Sequence, residues 1–302
     1  MNFFQLLFPD FSLILLGYLV CRTTPLNRSV WEKVESLVYY FLFPVLLFHS
    51  IMKTPLHLGA ASGLIAAGWA LAAIGIGLAY VLPHLPWFKS HIDPRQHAAA
   101  AQIGFRFNSF VALALAERLA GPEGLSLIAI LIGFCVPVFN IAAVWPMARH
   151  AQLHLGRELV KNPLVIATVS GVLANLAGFS IPDLLIPVVS RLGNASIALG
   201  LMAAGAGLQL TALAQSKTLG LSLLGIRHFL LPLAALALAR LFGLSAVQST
   251  MLLVFAALPT ASSAYVLATR MGYDGAPVAA LVTLSTMLAC LSLPFALMLR
   301  NI

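Results

Sequence analysis

Residues 98–118 read AAAAQIGFRFNSFVALALAER, and residues 246–270 read AVQSTMLLVFAALPTASSAYVLATR. Each is an apolar run of the length that crosses a bilayer as a helix, about 20 residues. Each also carries a polar cluster at its centre. In the first it is Gln102-Ile103-Gly104-Phe105-Arg106-Phe107-Asn108-Ser109; in the second it is Leu258-Pro259-Thr260-Ala261-Ser262-Ser263. Pro259 lacks an N–H and clashes with the preceding turn, so it predicts a break in the second run. Asn108 and Thr260, 152 positions apart, are of types that cap helix N-termini. The expectation is two interrupted helices, each presenting a new N-terminus at mid-membrane. Such ends carry partial positive charge and free N–H groups, which suit an anion.

The rest of the chain has the composition this requires. Of 302 residues 61% are apolar and only 9% are charged, against roughly 25% charged in a soluble domain. Mean hydropathy is +0.97. So few charges cannot cover a soluble core of this size, which excludes a water-soluble enzyme. Disorder, collagen and a coiled coil need other compositions. The fold class expected is an all-α polytopic membrane protein, because helices keep every backbone group paired in lipid and the alternation of barrel strands is absent. Ten apolar segments can be marked, near 3–21, 34–52, 61–82, 98–118, 125–148, 162–179, 186–210, 218–242, 246–270 and 275–299.

Orientation follows from the basic residues between segments. The side shared by the termini holds five: Lys53, Arg118, Arg191, Arg240 and Arg300. The other side holds ten: Arg22, Arg28, Lys33, Lys89, Arg95, Arg149, Arg157, Lys161, Lys217 and Arg270. The ten-to-five ratio makes both termini extracytoplasmic. No basic residue precedes the first apolar stretch and no A-x-A-like site closes it, so it reads as a spanning helix, not a cleaved signal. The net charge of +8 is then loop charge that sets topology and no sign of nucleic-acid binding.

The two halves echo one another. Arg118 and Arg270 are 152 apart, Gly124 and Gly275 151 apart, and Pro9 with Pro163 and Gly17 with Gly171 both 154 apart. Five spans per half is an odd number, so the second copy is upside down. Residues 1–149 form the first five-helix repeat, 150–161 a cytoplasmic connection, and 162–302 the second, inverted repeat. Inverted repeats with interrupted helices point to secondary transporters.

Candidate substrate residues gather around the two interruptions: Arg106, Asn108, Ser109, Pro259, Thr260, Ser262 and Ser263. Arg227 is a second arginine inside a span. It and Arg106 lie roughly 12–14 Å from the membrane surface, and no carboxylate falls in the middle of a span to pair with them. An unmatched buried cation implies a water-filled cavity, carbonyl partners or an anionic substrate. A central proton site would have to be His49, His228 or the substrate; sodium could be held by backbone carbonyls that leave no sequence trace. The coupling ion, proton or sodium, is thus open, as is a homodimeric assembly. Walker, H-E-x-x-H, C-x-x-C and G-x-S-x-G motifs are absent, and Cys21, Cys135 and Cys290 have no metal-like spacing. No cofactor, metal site or enzymatic activity is expected.

Several stretches resemble the auxin efflux carrier family: Phe43-Pro44-Val45-Leu46-Leu47-Phe48, Lys161-Asn162-Pro163-Leu164, Leu258-Pro259-Thr260-Ala261, and Asn108 followed by Ala120-Gly121-Pro122-Glu123-Gly124. The resemblance covers nearly the whole chain. It implies ten helices in two inverted five-helix repeats, crossing fourth and ninth helices, an elevator-type motion and anionic substrates such as auxin or malonate. It also implies that Asn108 and Pro259 are crossover and substrate-site positions, with Asn140 facing the site and Pro44 and His49 bordering it. The chain departs from the family at Phe107, where a Gly is usual, and at Ser262 and Ser263, where an Asn is common. The function expected is export or exchange of a small organic anion across the bacterial inner membrane. Rival readings are a sodium-coupled symporter of the bile-acid type, a non-transporting membrane sensor or enzyme, and a channel.

Overall fold

The computed structural model describes residues 3–53, 58–86, 92–151, 163–208, 217–261 and 263–299. Among them the secondary structure is helical throughout. The helices are α1 (Phe3–Thr23), α2 (Arg28–Leu37), α3 (Phe43–Lys53), α4 (Leu58–Val81), α5 (Pro94–Ala100), α6 (Ser109–Ala151), α7 (Pro163–Leu176), α8 (Ile186–Ala206), α9 (Lys217–Gly225), α10 (Leu231–Leu241), α11 (Ala246–Ala257), α12 (Ser263–Arg270) and α13 (Gly275–Leu299). One π-helical turn, Val38–Leu42, joins α2 to α3; another, Ile226–Leu230, joins α9 to α10.

Among the described residues five helical stretches are long and apolar enough to cross a membrane: Ser62–His84, Val111–Arg149, Ile186–Ala203, Thr218–Leu241 and Gly275–Leu299. The apolar segments marked near 98–118 and 246–270 are not continuous helices, because both are broken at their polar clusters. Local chemistry sets the helix ends. Asn27 Oδ1 accepts from Ser29 N to cap α2, and Asp93 Oδ1 accepts from Gln96 N to cap α5, with Pro94 in the first turn. Ser245 and Gln248 form a reciprocal capping box on α11. Gly121, at φ +56°, interrupts α6 between Leu119 and Pro122, a backbone conformation that glycine adopts without a Cβ penalty.

The helices pack as two groups. In one, α1 lies along α8, and α3 lies along α7 and α8. The approach of α1 to α8 depends on glycine: a Cβ on Gly205 would lie 1.7 Å from the Ile14 carbonyl oxygen, and one on Gly17 would lie 1.9 Å from that of Met202. In the other group α4, α5, α6 and α9–α13 pack around a core that includes Ile103, Phe105, Leu131, Met251 and Phe255. The long helix α6 belongs to the second group and touches α1, α3, α7 and α8 of the first.

Candidate functional site

The two interruptions meet inside the second group. After α5 a 3₁₀ turn, Ala101–Gly104, ends at Phe105 (φ −133°, ψ −28°), and helix resumes at Ser109. After α11 the chain is extended at Leu258 (ψ 148°), as expected before a proline, and helix resumes at Ser263. Buried backbone groups freed by such breaks need partners, and here the two breaks supply one another. Asn108 N–H donates to the Pro259 carbonyl at 2.8 Å. Thr260 Oγ1 donates to the Ile103 carbonyl at 3.0 Å, and Thr260 N–H donates to Ser285 Oγ at 2.8 Å. Gln102 Nε2 donates across the crossing to the Ala264 carbonyl at 3.1 Å. His228 lies between Ser285 and Ser292, at 2.8 Å from each.

The two buried arginines sit on different sides of this crossing. Arg227 donates from Nε to the Leu258 carbonyl (2.7 Å), from Nη2 to the Phe255 carbonyl (3.0 Å) and from Nη1 to the Phe105 carbonyl (3.4 Å). It is 1% exposed, and its partners are the carbonyl ends of both half-helices. Arg106 points to the other side, where helix resumes. It donates to Gln102 Oε1 (2.8 Å), to Ser263 Oγ (3.1 Å) and weakly to Asn140 Oδ1 (3.4 Å). No carboxylate of the described residues pairs with it.

Arg106 opens onto a cavity of about 90 Å³ between the two helix groups. Asn108, Ser109, Asn140 and Ser263 share its lining, and Phe107, Phe139 and Val136 form an apolar wall. Phe107 packs edge-on against Phe139 and closely against Phe255, with ring centres 5.8 and 4.4 Å apart. Asn140 Nδ2 is buried without a hydrogen-bond partner. An unmet donor costs roughly 1–3 kcal/mol. With Arg106, Ser263 and the first turns of α6 and α12, the cavity therefore offers several donors and a permanent positive charge beside Asn140 to an occupant.

Of the residues singled out from sequence, Arg106, Asn108, Ser109, Asn140 and Ser263 are together here. Asn108 caps α6, its Oδ1 accepting from Val111 N–H at 3.3 Å. Pro259, Thr260 and Arg227 form the crossing behind the cavity and not its lining; Thr260 spends its hydroxyl on Ile103 and does not cap α12. Pro44 and buried His49 lie on α3 and do not line the cavity, to which α3 contributes Phe43. Ser262 lies outside the described residues, as does the connection after Ala151.

Sequence reading missed Glu35. Instead of marking a span end, it lines the cavity and holds Arg28 in a two-pronged pair, 2.9 Å on each side. Tyr265 of α12 donates its hydroxyl to the same carboxylate. Arg270 also lines the cavity and stacks over Tyr39 and Tyr40, at 5.6 and 4.6 Å from the ring centres. The signal was present as a charged stripe, Arg28, Glu32 and Glu35, spaced to share one helix face. A larger cavity, about 310 Å³, lies among Asp93, Arg95, Leu219, Tyr273, Asp274 and Leu281. Its two carboxylates accept from Gln96 N–H and Ala276 N–H at helix starts, and burial raises the Tyr273 phenol, an effect Arg95 partly offsets. Its lining includes none of Arg106, Asn108, Asn140 and Ser263, so the smaller cavity carries the functional argument.

A polytopic helical protein whose broken helices meet beside a cavity lined by Arg106 belongs to the class of membrane transporters. Residues 140–297 match the family described as "Membrane transport protein", and the chain belongs to this family, the auxin efflux carriers that its motifs resemble. Over 308 aligned positions it is 26% identical to a protein of Rhizobium meliloti (strain 1021) named "Putative malonate transporter", covering 94% of this chain and 91% of that one. The chain is a transporter and not an enzyme.

Proposed function

We propose that this transporter binds a small organic carboxylate in the cavity beside Arg106 and exports or exchanges it across the inner membrane. The observation that carries the reading is the convergence of Arg106, which has no acidic partner among the described residues, with the unpartnered Nδ2 of Asn140. A carboxylate can accept from both, and a charge-assisted bond of this kind contributes about 1.5–3 kcal/mol. The relative named for malonate transport adds weight to a carboxylate. The apolar wall of Phe107, Phe139 and Val136 suits the carbon body of the solute.

The architecture proposed is ten spans in two inverted five-helix repeats, residues 1–149 and 162–302, with both termini extracytoplasmic. The matched breaks at Asn108 and Pro259 support it. Alternating access is proposed as an elevator, in which the group containing α4–α6 and α9–α13 slides against the group containing α1–α3, α7 and α8. The cavity lies between the groups, as that motion requires. Counterflow in proteoliposomes against a panel of mono- and dicarboxylates, malonate included, tests the reading. Saturable counterflow of at least one carboxylate is expected. Non-saturating flux, or no counterflow across the panel, overturns it.

A further inference from the structure

Interrupted helices bring two kinds of ends to the centre of a membrane. Their N-terminal ends favour anions. Their C-terminal ends and the freed carbonyls are where coupling cations such as sodium are held in other carriers. Each such end carries a partial charge of roughly −0.5. In this protein both C-terminal ends converge on Arg227. Its guanidinium takes the Phe255 and Leu258 carbonyls from the α11 end at 3.0 and 2.7 Å, and the Phe105 carbonyl from the α5 end at 3.4 Å. It is 1% exposed, and no carboxylate of the described residues contacts it.

The opposite half has no equivalent charge. The position 152 residues before Arg227 is Gly75, and a Cβ there would already lie 3.2 Å from Phe105 Cβ. Three further carbonyls at the crossing also have donors. Ile103 accepts from Thr260, Ala257 from Ser292, and Pro259 from Asn108. Six carbonyls at the crossing therefore already have donors, and three of them share one tethered cation.

We infer that Arg227 is a built-in counter-cation for the crossing, occupying by covalent attachment the place that a coupling sodium ion takes in carriers of this general design, so that this transporter works without bound sodium. Arg227 is a positioning residue: it fixes the two breaks and leaves the anion to Arg106.

The test uses the full chain purified in detergent without any carboxylate, so it stands apart from the substrate assignment. Melting is followed in choline chloride, in sodium chloride at equal ionic strength, and in choline chloride with millimolar methylguanidinium. The wild type is expected to melt at the same temperature in all three. Arg227→Ala is expected to melt several degrees lower in choline, to recover most of the loss with methylguanidinium and a smaller part with sodium. Arg227→Lys, which keeps a cation at the crossing, is expected near wild type in choline. Sodium-specific stabilisation of the wild type overturns the inference. So does an Arg227→Ala protein that responds to methylguanidinium no more than wild type does. If Arg227→Ala yields no folded protein, the wild-type sodium arm and Arg227→Lys decide: sodium-independent melting with Arg227→Lys close to wild type supports the inference, and any other result overturns it.

Discussion

Replacing Arg106 by alanine removes the charge that the cavity presents beside Asn140. Its guanidinium reaches Gln102 at 2.8 Å and Ser263 at 3.1 Å, which fixes its fork toward the space beside Asn140. A bound carboxylate would lose one or two charge-assisted bonds, each about 1.5–3 kcal/mol. At about 1.4 kcal/mol per decade, affinity should fall roughly 10- to 100-fold or more. Folding should suffer far less. Gln102 loses one acceptor contact but keeps its two donor bonds, to Ala99 at 2.9 Å and Ala264 at 3.1 Å. Removing a buried charge also returns part of its desolvation cost. Calorimetric titration of the purified variant, with the carboxylate that counterflow identifies, measures the first quantity, and thermal melting the second. Arg106→Lys should fall between, since it keeps the charge and loses the planar fork. A dissociation constant within about twofold of wild type in a well-folded Arg106→Ala protein removes Arg106 from the site.

Asn140→Asp places a carboxylate where Oδ1 stands 3.4 Å from the Arg106 guanidinium, so the cation gains an internal partner and an anion meets a like charge. Titration should show at least about tenfold weaker carboxylate binding, and unchanged binding would refute the donor role given to Nδ2. Gly205→Val should separate α1 from α8, because its Cβ would lie 1.7 Å from the Ile14 carbonyl oxygen. Overpacking of this kind costs about 1–3 kcal/mol or more, read as a lower melting temperature, and a variant as stable as wild type would contradict the close helix crossing.

The breaks were legible because they are chemical events in the sequence. A polar cluster in an apolar run, and a proline followed by hydroxyl residues, each announce lost helical hydrogen bonds. The crossing itself appears as the Asn108 to Pro259 bond. The direction of each arginine was not legible. Arg106 and Arg227 are equally deep and equally unpaired in sequence, and only packing sends one to carbonyls and the other to the cavity. Thr260 illustrates a second limit. The 152 offset pairs it with Asn108, but Asn108 Oδ1 accepts from Val111 N–H at its own helix start whereas the Thr260 hydroxyl goes to the Ile103 carbonyl across the crossing. Glu35 was hidden for a third reason. The π turn at Val38–Leu42 inserts an extra residue per turn, so the helix face read from the apolar stretch 34–52 does not continue back to Glu35 with 3.6-residue periodicity.

An unpaired arginine also bears on the transport cycle. In the proposed elevator motion an empty cavity would leave Arg106 to move as a cation among Gln102, Ser263 and Asn140, all neutral. A charge near mid-membrane costs at least about 2.5–3.5 kcal/mol on insertion scales. With a carboxylate bound, the pair moves together and part of that cost is offset. The empty carrier should therefore reorient more slowly than the loaded one, by up to roughly 70- to 400-fold for that energy. Exchange should outrun net efflux from the same proteoliposomes. Efflux of labelled substrate into buffer with and without unlabelled carboxylate measures the ratio. Arg106→Gln should bring the two rates closer, because the charge that the substrate neutralises is then gone. Equal rates in the wild type would mean that the guanidinium is neutralised by something other than the substrate during the return step.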